Sequence, residues 1–82
     1  MSKADQIRDY VFHNYVLTAR KYGWNQVCVV TGDVHKAMKL EDWMPLVCSS
    51  LEAKKFQQSS GIKLIQRSGP KQGATVRLIF SV

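Results

Sequence analysis

Lys54, Arg67 and Lys71, with the small or amide side chains of Ser49, Ser50 and Gln57, are the residues whose types and spacing suggest chemistry in this 82-residue chain. That chemistry is recognition of a polyanion. Lysine and arginine neutralise phosphates without reading sequence, whereas short hydroxyls and amides can reach base edges. Arg67 and Lys71 flank the glycines of Ser68-Gly69-Pro70-Lys71-Gln72-Gly73, where a missing side chain lets the backbone come close to a partner. The loop lacks the Gly-Lys-Ser/Thr ending of a Walker motif, so nucleotide binding is not expected.

A solvated helix face or a charged loop tip that keeps strand edges apart would use the same residue types. The distribution of charge favours phosphate binding over that reading. The chain carries a net +6, very unevenly placed. From Met1 to Asp42, six basic residues face five acidic ones, which leaves +1. From Trp43 onward, Lys54, Lys55, Lys63, Arg67, Lys71 and Arg77 face only Glu52, which leaves +5. Such asymmetry points to an acidic macromolecular partner.

Other chemistries find little support. Cys28 and Cys48 form no CxxC pair, and both are expected to be small buried hydrophobes. His13 and His35 stand apart and are expected at the surface; Asp5 and Asp9 are expected to face solvent rather than a metal. With no nucleophile, base and acid at workable spacing, the expectation is a non-enzyme without cofactor or metal. Trp24 and Trp43 sit at element junctions, where packing anchors are expected, although an exposed Trp43 would suit base stacking. No apolar run is long enough to span a membrane or to resemble a signal peptide, so a cytoplasmic location is expected.

The elements that must position these side chains follow from periodicity. Ser2 and Asp5 resemble a capping box. Ile7, Tyr10, Val11, Tyr15, Val16, Ala19 and Tyr22 then recur at helical steps up to Gly23, with Arg20 and Lys21 suited to the negative end of the helix dipole. Val27 to Val30 reads as a short strand able to cover a sheet edge. A short helix begins at Thr31 or Asp33, with Val34, Ala37 and Met38 as its apolar stripe. Asp42 is expected to cap a third helix with Pro45 in its first turn, running to about Gln58. On that helix Met44, Val47, Cys48 and Leu51 face the core, and Ser49, Ser50, Ala53, Lys54 and Gln57 face outward. Lys55 falls nearer the buried side, which requires snorkelling or a bend, and Phe56 fits neither face. Ile62 to Arg67 and Ala74 to Val82 alternate as strands of a hairpin.

This order of helix, strand, helix, helix, strand, glycine-rich basic loop and strand resembles the winged helix-turn-helix superfamily across almost the whole chain. The resemblance implies one α+β domain over residues 1–82, with a three-helix core and a small antiparallel sheet. It further implies a third helix, Pro45 to Gln58, that enters the major groove of double-stranded DNA, and a wing, Arg67 to Ala74, on the phosphates. Gly32-Asp33-Val34-His35-Lys36, Pro45 to Leu51 and Lys54-Lys55-Phe56 also resemble small uncharacterised prokaryotic domains, some of them attached to restriction-type or ATPase proteins. Transcription, defence and chromosome structure all remain open as the process served. The alternative is a protein-interaction or homodimerisation module that uses Leu46, Ile65 and Ile79, since a fold does not dictate its function. Structured RNA ranks below DNA, for want of a stacking-aromatic motif.

Overall fold

The computed structural model describes residues 2–82. The first helix runs through three consecutive segments: α1 (Lys3–Val11), a π-helical stretch (Phe12–Val16) and α2 (Leu17–Lys21). Ser2 caps it, its Oγ accepting from the Asp5 backbone N–H at 3.1 Å, and Gly23 follows in the left-handed conformation at φ 72°. Ile7, Val11, Val16 and Ala19 are fully buried. The step from Val11 to Val16 is five residues, which would carry Val16 off the stripe in a regular α-helix. A π turn closes with an i→i+5 bond and so keeps both valines on the core side.

Strand β1 (Gln26–Val30) leads directly into α3 (Thr31–Ala37), followed by α4 (Met44–Glu52), α5 (Lys54–Ser60), β2 (Lys63–Ser68) and β3 (Arg77–Ser81). The class is therefore α+β, with a three-stranded antiparallel sheet in the order β1-β3-β2. Residues paired across strands share a sheet face. Val29, Leu78 and Phe80 lie on the inner face and are fully buried against the helices. Cys28, Ile79 and Gln66 form a row on the other face, where Cys28 and Gln66 are exposed and Ile79 is half-buried. Cys28 is thus not the buried hydrophobe expected, because β1 is an edge strand with only one covered face; Cys48 is buried, and both are free thiols.

The expected single helix from Pro45 to Gln58 is two helices. Ala53, at φ −70° and ψ 140°, is extended and separates α4 from α5. Helical continuation from Leu51 would bring Lys55 onto the core stripe at i+4. The break resets the phase, so that Phe56 enters the core instead, where its ring meets Phe80 edge-on at 5.6 Å. Gly61, at φ 66°, ends α5 as a left-handed cap. Asp42 does not cap α4 as expected. It takes a left-handed φ of 56°, Trp43 holds the cap position without a side-chain bond, and Pro45 lies in the first turn as anticipated.

Candidate functional site

Between α4 and the loop that joins β2 to β3 lies an open cleft lined by Cys48, Ser49, Glu52, Arg67, Lys71 and Gln72. The loop is fastened from three sides. At the start of α3, the Thr31 hydroxyl donates to the Gly73 carbonyl at 2.6 Å, and the backbone N–H groups of Thr31 and Gly32 donate to Val76 and Ala74, each at 3.0 Å. Gly32 is required there, since a Cβ at that position would stand 2.5 Å from the Ala74 carbonyl oxygen. From α4, the Cys48 thiol approaches the Gly73 carbonyl at 3.9 Å. From β2, Arg67 donates through Nε to Glu52 Oε1 at 2.6 Å and through Nη2 to the carbonyls of Pro70 and Lys71.

Arg67, expected to meet phosphates from beside the loop glycines, is instead turned to Glu52 and the loop carbonyls. A β-bulge explains the difference. Leu64 pairs with Phe80 but Gln66 with Ile79, so Ile65 is an extra residue in the ladder. Beyond it the faces exchange, and Arg67 pairs with Leu78 on the helix side, within reach of α4. Ile65 itself is left 44% exposed.

The other expected site residues divide in the same manner. Ser49 is exposed on α4, with its hydroxyl donating to the Leu46 carbonyl at 3.3 Å. Lys54, beyond the break, and Lys71, in the loop, are exposed and form no ion pair among the described residues. Ser50, by contrast, is 1% exposed. It lies where α1 crosses α4: its carbonyl accepts from Arg8 Nε at 3.0 Å, and its buried hydroxyl has no hydrogen-bond partner among the described residues. Gln57 is half-buried, and its side-chain oxygen accepts from the Leu64 N–H at 2.9 Å, which ties α5 to β2. Ser50 and Gln57 are thus corrected from outward contacts to structural positions. Arginines again serve as fasteners elsewhere. Arg20 Nη2 donates to the Ser60 and Gly61 carbonyls at the end of α5 at 2.9 and 3.2 Å.

A second groove, between α1 and α5, includes Asp5, Arg8, Lys55 and Phe56. Asp5 bonds Arg8 at 3.1 Å and lies 3.9 Å from Lys55 Nζ. A hydrogen bond with Ser2 first, then the charges of Lys55 and Arg8, hold the Asp5 carboxyl below its ordinary range despite a counteracting desolvation. This carboxylate is engaged in a fold contact rather than facing solvent freely.

Neither tryptophan is a buried anchor. Trp43 is 45% exposed at the start of α4, and Trp24 stacks on Tyr22 at the surface. His13 is exposed and contacts the Asp9 carbonyl at 2.9 Å; His35 is half-buried, with Nε2 lacking a partner among the described residues. No group of three His, Cys, Asp or Glu side chains that could hold a metal occurs among the described residues. Among them, too, no helix is long and apolar enough to cross a membrane. The chain matches no protein-family model, no curated protein and no solved structure.

Proposed function

We propose that this chain is a winged helix-turn-helix domain that binds double-stranded DNA, with α4 toward the major groove and the β2–β3 loop as a wing on the phosphates. The order β1-β3-β2, the succession of α3 and α4, and a fastened loop beside α4 support the fold reading. The observation that carries the functional one is the Arg67–Glu52 bond of 2.6 Å. Glu52 is the only carboxylate side chain after Asp42, and its charge is neutralised within the cleft. Lys54 and Lys71 are left without a local opposing carboxylate, and Arg77, paired with Ser68 beside the loop, adds an exposed cation.

The outward residues of α4 are few. Pro45 and Ser49 are exposed and Glu52 is bound to Arg67, so Ser49 is the one short hydroxyl on offer to a base edge. Binding should accordingly draw most of its strength from phosphates and show modest sequence preference. With about four phosphates neutralised, log K against log salt for a mixed-sequence duplex should fall with a slope of roughly −3 to −4. Lys54→Ala and Lys71→Ala should each weaken every duplex alike and flatten that slope by about 1. Fluorescence anisotropy over a salt series tests this directly. Binding that ignores salt, or that neither substitution changes, would overturn the reading.

A further inference from the structure

At the end of the sheet away from the wing, the chain exposes two neighbouring aromatic rings. Gly23, at φ 72°, makes the turn between α2 and β1, and the residues on either side of it, Tyr22 and Trp24, stack at 5.5 Å between centroids and 27° between planes. They remain 62% and 53% exposed. Lys21 Nζ stands over the Tyr22 ring, 5.8 Å from its centroid. Such a pair is not needed to close the core, which lies beneath Ala19 and Val29.

We infer that the Tyr22–Trp24 pair is a stacking platform for unpaired bases of a single-stranded nucleic acid, a second site distinct from the proposed duplex surface. The surroundings carry the correct charge. No aspartate or glutamate occurs between Asp9 and Asp33. Lys21 stands over one of the two rings, and Lys63 lies on the far edge strand in the row of Ser81 and Gln26 that ends the sheet on this side. Exposed rings beside cations suit a strand whose bases stack while its phosphates meet the ammonium groups.

The same features disfavour other occupants. A symmetric contact between two copies would set this patch against itself, with Lys21 facing Lys21. Neither ring lines either of the clefts described above; both stand out to solvent. Duplex bases are already stacked, which restricts the ligand to unpaired ones.

The test uses Trp24 as its own reporter in a Trp43→Phe protein. A short oligothymidylate should quench its emission, and an abasic strand of equal length should bind about tenfold more weakly and quench little. Trp24→Ala should lose a similar factor, read by anisotropy of a labelled strand, whereas Trp24→Phe should keep most of the affinity. Trp24→Phe should leave binding of a blunt mixed-sequence duplex unchanged, which separates this site from the proposed duplex surface. Equal binding of the abasic strand would overturn the platform. So would a glutamate-rich peptide that binds at Trp24 where oligothymidylate does not, since the surface would then belong to an acidic protein. Should Trp24→Ala fail to fold by circular dichroism, the Phe variant and the abasic comparison still decide the matter.

Discussion

The two ends of the sheet are built on opposite plans. At the end that carries the β2–β3 loop, Thr31, Gly32, Cys48 and Arg67 all reach loop carbonyls or lie against them, and the chain has no room for an added methyl at Gly32. At the other end, Gly23 turns in open space, and the rings beside it face solvent. The contrast separates holding from presenting. The Arg67 fork and backbone donors hold the β2–β3 loop, which leaves Lys71 exposed upon it. The aromatic end relies on local stacking and requires only a permissive turn.

Matched glycine substitutions give the largest contrast. Gly32→Ala should cost about 2–3 kcal/mol, because overpacking against the Ala74 carbonyl must push the loop away. Gly23→Ala meets nothing within 4 Å and should cost only the left-handed backbone term, about 1 kcal/mol. Urea denaturation of both variants checks this, and equal losses would erase the distinction between the two ends.

Charge substitutions at the loop end come next. Arg67→Gln removes the fork to Glu52 and to the loop, at about 1–2 kcal/mol for a pair whose side chains are each 27% exposed. It should also weaken duplex binding, by leaving the Glu52 carboxylate unopposed in the cleft. Glu52→Gln should strengthen binding instead, although it breaks the same bond. If both variants shift affinity in the same direction, wing geometry rather than charge governs the interface.

Smallest is the effect of Tyr22→Ala on stability. Loss of one exposed ring from the stacked pair should cost about 0.5 kcal/mol, near the floor for aromatic pairs. A thermal scan that shows several times that loss would mean the aromatic end holds the fold after all.

Element order and turn positions were legible because they rest on local signals. Ser2, Gly23, Pro45, Gly61 and the glycine-rich loop all mark boundaries that the structure keeps. Side-chain direction was legible only where the period stayed unbroken. Arg67 was misassigned because one additional residue at Ile65 exchanges the faces of β2, and nothing in alternating residue types announces a bulge. Lys55 and Phe56 did carry a signal, since neither fitted a continuous helix, and the break at Ala53 resolves both. Ser50 was misplaced because its position on α4 satisfies two readings by periodicity, and only the crossing of α1 decides between them. The nucleic-acid reading now rests on Ser49, Lys54 and Lys71, a smaller set than residue types suggested.

The π-helical stretch from Phe12 to Val16 has a consequence for how the chain tolerates changes in length. Removing one residue there would leave Val11 and the following valine four apart, the spacing at which an ordinary α-helix lines up its stripe. The first helix therefore carries its single spare residue in one known place. A deletion between Val16 and Ala19 would turn Ala19 off the stripe, whereas a deletion within the π-helical stretch would leave Ile7, Val11, Val16 and Ala19 in line.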